Sequence, residues 1–266
     1  MKEEAVSESS VAGEQRIRLL SYNIQSGLQT ASPREYITKG WQHFFPHPEK
    51  QENLDLISKL VVDFDIVGLQ EVDAGSLRSS FLDQTAYLAH RADFPYWNWQ
   101  VNRNVGPLAQ YSNGFLSRIR PMETHTYSLP GLPGRGAILV DYGEGDELFS
   151  VVFLHLALGR QGRLRQLSFV SELIASRKHI AVMGDLNCPT DSSLLVDFME
   201  NNGLKDATCG APTYPSWQPV RKIDHIFLSE SLDTDTPHVI DFPLSDHLPV
   251  SVDVVLPFKL SEEIPE

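Results

Sequence analysis

Short apolar runs alternate with a helical pattern in the first part of the chain. RIRLLSYNI (16–24) and DIVGLQEV (65–72) are rich in branched apolar residues, which predicts two buried strands. The segment between them, NLDLISKLVVDF (53–64), repeats apolar residues with the period of a helix. The predicted buried face of that helix consists of Leu54, Ile57, Val61 and Phe64. A second helix is predicted over 79–94, and an aromatic strand over 96–101.

The middle of the chain has strand-like runs that follow one another without convincing helices between them. These runs are NGFLS (113–117), GAILVDY (136–142) and ELFSVVFLHL (147–156). Parallel strands need long crossover connections, which usually contain a helix. The pattern therefore predicts antiparallel meanders rather than a doubly wound parallel sheet.

Helices and strands alternate again in the second half. Two amphipathic helices are predicted, GRLRQLSFVSELIAS (162–176) and SLLVDFMENNG (193–203), and Gly203 is the expected stop of the second. Three apolar runs predict strands: HIAVMG (179–184), KIDHIFLS (222–229) and HLPVSVDVVL (247–256). Residues 26–51 have little periodicity, and a loop of that length is often functional.

Length and composition indicate one folded body. With 266 residues, 41% of them apolar, the chain can bury a sizeable core. We expect a single domain over 16–258, with a flexible N-terminal tail (1–15) and a C-terminal tail (259–266). The 22 basic against 35 acidic residues give a net charge of -13, the wrong sign for holding a polyanion through the general field of the protein.

Residues 1–15 contain no apolar run, so they match neither a secretory leader nor a transmembrane segment. The two cysteines, Cys188 and Cys209, have no CxxC spacing and indicate neither a disulfide framework nor a thiolate metal site. A cytoplasmic protein is the expectation.

Polar residues that suit catalysis follow several of the predicted strands. They are Asn23, Glu71, His155, Asp185, Asn187, Asp224, Asp246 and His247. Side chains two apart on a strand share a face, so Asp185 and Asn187 point together if their strand persists. Taken singly, each has a structural explanation, because Gly-Asp-x-Asn also suits a turn or a helix cap and a lone histidine suits a core.

Taken together, these residues suit one kind of chemistry. Carboxylate and amide oxygens without thiolates are the ligands of a hard cation such as Mg²⁺ or Mn²⁺, which substrate phosphate oxygens then complete. Histidines move protons near neutral pH. The set favours metal-assisted hydrolysis at phosphorus.

Five blocks carry a resemblance to a known family: SYNIQ, GLQEVD, VMGDLNCP, KIDHIF and LSDHLPV, in this order. They resemble the signature blocks of the deoxyribonuclease I-like endonuclease/exonuclease/phosphatase family, and the resemblance runs from about Ile17 to about Leu256. It implies a four-layer α/β sandwich, in which two mostly antiparallel sheets lie face to face between helices. The active site would lie at one edge, where loops from both sheets meet. The segments PTYPSWQPVRKIDHIF and GSLRSSFLDQ resemble the bacterial metal-dependent hydrolase branch.

The resemblance also implies roles for individual residues. Glu71 would be the principal metal ligand, with Asn23 beside it and Asp246 as a further metal or water ligand. Asp185 would orient or deprotonate the attacking water, and Asn187 would fix that nucleophile.

Two histidines complete the implied catalytic set. His247, oriented by Asp224, would contact the scissile phosphate and transfer a proton. His155 would stabilise the developing charge from the other side. Asn113 and Arg135 are the implied substrate-binding residues, although Arg135 also suits a turn between two glycines. The tyrosine position of the family is matched less clearly, by Tyr111.

The surroundings of these residues suggest what the substrate touches. Arg160, Arg163 and Arg165 form a basic patch that would bind a second phosphate or an anionic headgroup, or else are the solvated first turn of a helix. An apolar wall would come from aromatic residues of two loops, or these residues pack within their loops: Tyr214, Trp217, Trp41, Phe44 and Phe45.

The favoured function is a Mg²⁺- or Mn²⁺-dependent phosphodiesterase or phosphatase acting on a small or lipid-linked phosphate ester. The alternative is a metal-dependent nuclease acting on DNA or RNA, which the net charge of -13 makes less favoured because a local basic track would be needed. A non-catalytic binding module is disfavoured, since every position that the family uses for catalysis is filled.

Overall fold

The structure is a computed structural model that describes residues 13–29, 32, 46–208, 210–235 and 237–260. Within them, the helices are α1 Pro48–Val61, α2 Gln84–Arg91, α3 Arg160–Ile174 and α4 Ser193–Asn202. The strands are β1 Gln15–Asn23, β2 Ile66–Asp73, β3 Tyr96–Asn104, β4 Gln110–Ser117, β5 Glu123–Ser128, β6 Gly136–Tyr142, β7 Phe149–His155, β8 His179–Asp185, β9 Leu204–Asp206, β10 Asp224–Ser229, β11 Asp233–Thr234, β12 His238–Val239 and β13 Val250–Leu256.

The strands form two sheets, and each sheet has one parallel pair among antiparallel neighbours. The first has the order β11-β13-β1-β2-β4-β3, with β12 also on β13, and its parallel pair is β1 with β2. The second has the order β5-β6-β7-β8-β10-β9, and its parallel pair is β7 with β8. A helix connects the two strands of each parallel pair, α1 in the first sheet and α3 in the second. Of the three strand-like runs in the middle of the chain, β6 and β7 form an antiparallel pair, as predicted. Strand β4 instead belongs to the first sheet, where both of its neighbours, β2 and β3, are antiparallel to it.

Three apolar clusters separate four layers. The central cluster contains residues from both sheets, such as Ile17 of β1 and Met183 of β8. A second lies between the first sheet and helices α1 and α2, and a third lies between the second sheet and helices α3 and α4. Two sheets face to face between two layers of helices are the four-layer α/β sandwich expected from the resemblance, so that prediction of the fold class is confirmed.

The two-residue period of the strands carries polar residues to the edge of the central cluster. In β8, Ala181 and Met183 face that cluster and Asp185 is the next residue of the same series. In β7, Val151 and Phe153 precede His155 in the same way. Asn23 of β1, Asn113 of β4 and Asp224 of β10 occupy equivalent positions in the inward-facing series of their strands. The packing of the core therefore aims these polar side chains into the gap between the sheets.

Glu71 lies at the same edge, but an irregularity of its strand rather than the regular alternation places it there. The register between β2 and β4 shifts between Leu69 and Val72, and Glu71 has a left-handed backbone with φ of 57°. Leu69 and Val72, three residues apart, consequently face the same helix layer. This β-bulge takes Glu71 out of the regular alternation of its strand.

Several element boundaries differ from the predicted ones. Helix α1 begins at Pro48, with the His47 side chain accepting from the Glu49 amide, so its first turn lies inside the predicted loop 26–51. Residues 30, 31 and 33–45 of that loop, including Trp41, Phe44 and Phe45, lie outside the described residues. Helix α2 is shorter than predicted. Asp83 is its N-cap and accepts from the Ala86 amide, and a separate 3₁₀ turn, Leu77–Ser79, precedes it.

The end of α4, the C-terminal residues and the cysteines are also subjects of predictions. Gly203 ends α4 in a left-handed conformation, as predicted. Phe258 and Leu260 are buried in the central cluster, and the predicted limits of the domain and of its two tails stay predictions. Cys188 is a buried free thiol next to Ser192, whereas Cys209 lies outside the described residues. Among the described helices, none combines the length and the apolar character that crossing a bilayer requires.

The close packing of β7 on β8 predicts a strong effect of one glycine. Gly184 has φ of +146°, and a Cβ atom there would lie 1.9 Å from the Leu154 carbonyl oxygen. We expect Gly184→Ala to lower the free energy of unfolding by about 3 kcal/mol in urea titrations, from backbone strain and overpacking. The control is Gly131→Ala, also at positive φ but with no atom within 4 Å of the added Cβ, for which about 1 kcal/mol is expected. Equal losses in both variants would contradict the packing argument.

Candidate active site

The Asp185 carboxylate lies at the centre of a buried polar cluster at the sandwich edge. Its Oδ1 accepts from the Asn187 amide at 2.9 Å, and its Oδ2 accepts from Asn23 Nδ2 at 3.2 Å. Oδ2 also lies 3.4 Å from His155 Nε2 and 3.8 Å from His247 Nε2. The four partners come from both sheets or from the loops that follow their strands, so the cluster exists only when the two sheets are packed together.

Burial sets the protonation behaviour of Asp185. The side chain is 2% exposed, and removal from water together with the nearby Asp224 and Glu71 carboxylates outweighs the His247 charge. The pKa of Asp185 is raised to about 7. A carboxylate of that pKa can accept a proton near neutral pH.

A buried carboxylate holds His247 from behind. His247 Nδ1 lies 3.0 and 2.9 Å from the two Asp224 oxygens, and Thr213 Oγ1 donates to Asp224 Oδ2. Burial disfavours the charged ring, but Asp224, Asp185 and Asp246 outweigh it and raise the pKa of His247 to about 10. The Nδ1 contact with Asp224 leaves Nε2 pointing toward the Asp185 side of the cluster.

His155 is held in the opposite state. Burial, followed by the positive charges of Arg135 and His247, holds the pKa of His155 well below its usual range. The ring is therefore neutral at pH 7, and its Nε2 faces Asp185 Oδ2. The cluster thus contains one histidine that favours the charged form and one that favours the neutral form.

Asn187 reaches the cluster through a turn rather than along a strand. Strand β8 ends at Asp185, and Asn187 has a left-handed backbone with φ of 51°, so the expectation that the two share a strand face is wrong. Asn187 Nδ2 donates to the Leu156 carbonyl oxygen at 3.0 Å. This bond ties the turn after β8 to the loop after β7.

The donor set at this edge fits a divalent cation. The Asp246 carboxylate is buried, and burial, with the nearby Glu71, outweighs the His247 charge and raises its pKa to about 6. The Glu71 carboxylate makes no hydrogen bond or ion pair with any residue that the structure describes, although the Glu71 carbonyl accepts from Ser26 at 2.8 Å. Asn23 Oδ1 adds an amide oxygen and accepts from the Gln25 amide at 3.2 Å. Carboxylate and amide oxygens with uncompensated negative charge are what Mg²⁺ or Mn²⁺ binds.

Distance alone favours a different set of candidate metal ligands. Asp185, Asp224 and His247 have one ligand atom each within 4.8 Å of one another, whereas the predicted carboxylate ligands Glu71 and Asp246 do not belong to this group. Both Asp224 oxygens, however, contact His247 Nδ1, and one also accepts from Thr213. We therefore assign Asp224 to the histidine and regard the unpaired Glu71 carboxylate as the stronger candidate ligand.

The two predicted substrate-binding residues lie beside this cluster. Arg135 is half-buried and its guanidinium donates to the Gly134 carbonyl oxygen at 3.3 Å, while Glu71 and Asp185 act on it through their charges. Asn113 donates through Nδ2 to the Gly136 carbonyl oxygen at 3.0 Å, so it fixes the backbone next to Arg135. Tyr111 lies against Arg78, whose guanidinium carbon is 4.0 Å from the centroid of the Tyr111 ring.

The predicted basic patch is smaller than its sequence suggests. Arg163 donates to the carbonyl oxygens of Ala157, at 3.3 Å, and Leu158, and so it belongs to the loop after β7. Arg160 and Arg165 are exposed on α3. Of the aromatic residues, Tyr214 packs against His247 with ring centroids 4.9 Å apart, and Trp217 is half-buried nearby in the chain.

Comparison with known families identifies the chain. The sequence model of the endonuclease/exonuclease/phosphatase family matches residues 20–247, which is most of the chain. The chain belongs to the endonuclease/exonuclease/phosphatase family. Members of this family are phosphoester-cleaving hydrolases, so the protein is an enzyme of that class. The resemblance found in the five sequence blocks is confirmed.

Solved structures of the endonuclease/exonuclease/phosphatase family share the fold. One from Bacteroides thetaiotaomicron has 18% sequence identity and a TM-score of 0.68, over 93% of this chain and 99% of that chain. A mannosyl-6-phosphatase of the same species has 18% identity and a TM-score of 0.67, over 90% and 100%. The catalytic domain of human Nocturnin has 19% identity and a TM-score of 0.66, over 90% and 94%. No curated protein sequence matches the chain.

Sequence reasoning missed several residues that hold the site of this family member in place. Thr213 and Ser216 connect the PTYPSW segment to the SDH segment: Ser216 N donates to Asp246 O at 2.8 Å, and Leu248 N donates to Thr213 O at 2.9 Å. Asp73 and Arg78 form a buried ion pair below Tyr111. The sequence signal was that Thr213 and Ser216 belong to PTYPSWQPVRKIDHIF, and Arg78 to GSLRSSFLDQ, the two segments that resemble the bacterial branch.

The contrast between two buried aspartates gives a prediction about stability. Asp73 pairs with Arg78 and accepts from Ser76 and Ser79, and although burial opposes ionisation, these partners lower its pKa. Asp185 lies among other carboxylates, and its pKa is raised. In EDTA at pH 8, Asp185→Asn is expected to leave the unfolding midpoint unchanged or to raise it, because a poorly compensated charge is removed.

The control substitution is expected to have the opposite effect. Asp73→Asn leaves Arg78 buried without its charge partner, which costs about 3 to 5 kcal/mol of unfolding free energy. Both variants are measured by urea denaturation in the same buffer. A large loss for Asp185→Asn would mean that Asp185 is a structural residue.

Proposed function

We propose that the protein is a Mg²⁺- or Mn²⁺-dependent phosphatase or phosphodiesterase that acts on a small or lipid-linked phosphate ester. The observation that carries the proposal is the buried Asp185 carboxylate between a neutral and a charged histidine, beside the unpaired Glu71 carboxylate. General acid–base groups in opposite protonation states next to a cation site suit hydrolysis at phosphorus.

The metal would be held by Glu71 as the principal ligand, with Asn23 and Asp246 beside it. When bound, a divalent cation withdraws negative charge from the phosphate oxygens as a Lewis acid. Asn23 also donates to Asp185 at 3.2 Å, so the same side chain would contact both the metal and the carboxylate that activates the water.

Asp185 accepts the proton of the attacking water. The pKa of about 7 favours that role near neutral pH, and the Asn187 amide fixes Oδ1 so that Oδ2 faces the reaction. In this assignment the Asn187 side chain helps to position the nucleophile, while its bond to Leu156 holds the turn in place.

His247 binds the scissile phosphate through Nε2 and transfers a proton, with Nδ1 held by Asp224. His155, neutral and buried, donates a hydrogen bond to the oxygens that gain charge in the transition state. Arg135 adds a guanidinium on the same side, and Asn113 keeps Gly136 and Arg135 in position.

Two observations favour a small or lipid-linked ester over nucleic acid. The net charge is -13, and Arg163 of the predicted basic patch is engaged with the Ala157 and Leu158 carbonyls. Mannosyl-6-phosphatase, a structural neighbour, is named for a sugar phosphate, which agrees with a small substrate. The cytoplasmic location expected from the sequence stays a prediction.

A substrate panel tests the proposal. EDTA-treated protein is supplied with Mg²⁺ or Mn²⁺ and assayed on p-nitrophenyl phosphate, bis-p-nitrophenyl phosphate, phosphoinositides, sphingomyelin, plasmid DNA and single-stranded RNA. We expect metal-dependent turnover of small or lipid esters, lowered by about 10² to 10⁴ in His247→Ala. The control His238→Ala removes an exposed histidine of β12 and is expected to keep full activity. Cleavage confined to nucleic acid would favour the nuclease alternative, and no cleavage at all would contradict both.

Glu71→Gln tests the assignment of the metal ligand. The substitution keeps the size of the side chain and removes the charge, so the Mg²⁺ concentration for half-maximal rate should rise by about tenfold or more, while Glu147→Gln, exposed in a 3₁₀ turn, should leave it unchanged. The measurement is the rate as a function of free Mg²⁺. An unchanged metal requirement in Glu71→Gln would overturn the assignment.

A further inference from the structure

A pocket of about 460 Å³ opens beside the catalytic cluster, on the side of Glu71 and Arg135. Its other walls are formed by Arg103 and Tyr111 from β3 and β4 and by the loops that carry Leu132 and Leu158. The pocket is thus continuous with the proposed phosphate position but extends beyond the residues used for hydrolysis. A volume of this size holds one small organic group.

The charges in this pocket do not cancel. Arg103 is exposed and makes no hydrogen bond or ion pair among the described residues, and Arg135 bonds only to the Gly134 carbonyl there. Burial lowers the pKa of Arg135, and the nearby Arg103 charge acts in the same direction. The carboxylate in the pocket wall is that of Glu71, which the proposed function assigns to the metal. A protein of net charge -13 therefore presents two guanidinium groups to one cavity.

The mouth of the pocket is apolar and held in place. Leu132 is 86% exposed and Leu158 is 75% exposed, and because both line the same pocket they form an apolar edge that a ligand can contact. The buried Gln166 side chain of α3 joins their two loops, since it accepts from the Ala157 amide at 2.8 Å and donates to the Pro130 carbonyl at 3.3 Å. Arg163 adds its bonds to the Ala157 and Leu158 carbonyls. The two leucines are thus presented by anchored loops.

We infer that this pocket binds a second anionic group, a carboxylate or a phosphate, carried by the organic part of the substrate. Arg103 is its main contact, because Arg135 also faces the scissile phosphate, and Leu132 and Leu158 cover the carbon skeleton between the two anions. The inference rests on the proposed function for the position of the scissile phosphate. It narrows the substrate class to amphipathic esters that carry a second anionic group besides the scissile phosphate.

Binding of phosphonates, which cannot be hydrolysed, tests the inference without turnover. Calorimetry in the presence of Mg²⁺ compares phenylphosphonate with 4-phosphonobenzoate and 1,4-phenylenediphosphonate. We expect the wild type to bind at least one of the two ligands with a second anion about 10-fold or more tightly than phenylphosphonate, as a charged hydrogen-bond pair implies. The better of the two identifies the second anion as a carboxylate or a phosphate.

Substitutions locate the contact. Arg103→Ala should remove the preference while changing the affinity for phenylphosphonate by less than about twofold, because that ligand does not reach Arg103. Arg120→Ala, which removes another exposed arginine outside the pocket, should retain the full preference. Equal affinities for all three ligands in the wild type, or a preference that survives in Arg103→Ala, would overturn the inference.

Turnover separates this inference from the proposed function. The esters are phenyl phosphate and 4-carboxyphenyl phosphate, assayed with Mg²⁺ or Mn²⁺. Hydrolysis of both without any preference, together with equal phosphonate binding, would overturn the second-anion site and leave the proposed function standing. A preference in binding that depends on Arg103, without hydrolysis of any phosphate ester in the full panel, would support the site and contradict the proposed function.

Discussion

The enclosure of several carboxylates at one edge of the sandwich is the constraint on which the site depends. Asp185, Asp224 and Asp246 are all buried there, and the charges of all three act on the His247 ring. Burying like charges together is unfavourable unless cations and hydrogen-bond donors compensate them. The apolar packing between the sheets offsets that cost, and the uncompensated part makes the edge receptive to a divalent cation and raises the pKa of Asp185.

The two parallel strand pairs explain why the chemistry meets at one edge. Strand β1 ends at Asn23, which pairs with Gln70 of β2, the residue before Glu71. Strands β7 and β8 end at His155 and Asp185, which are paired in register. Parallel strands deliver their carboxyl ends to the same edge, as in open α/β sheets, where ligands bind at that end. Here two such pairs face each other across the core, so each sheet supplies half of the polar cluster.

Much of this arrangement could be predicted from alternation and residue type. The apolar series of β7, β8 and β10 give the strands, and polar residues that continue an inward series, such as His155 and Asp185, are expected at the core edge. The bulge at Glu71 and the left-handed turn at Asn187 could not be predicted, because both break the two-residue period by which a strand is recognised in a sequence. Strand β5, ETHTYS, was missed because it is a mostly polar edge strand whose pairing partner supplies the apolar face.

The bridge that Gln166 makes between two loops has a consequence for how substrate preference changes in evolution. The groups proposed for the reaction lie on or next to core strands. Leu132 and Leu158 instead lie on two loops whose backbones the Gln166 side chain connects through hydrogen bonds. Because Gln166 bonds to backbone groups, the side chains at positions 132 and 158 are free to vary without loss of the loop positions. If Leu132 and Leu158 contact the ester as inferred, a few surface substitutions there would change which ester is accepted and leave the core residues proposed for cleavage unaltered.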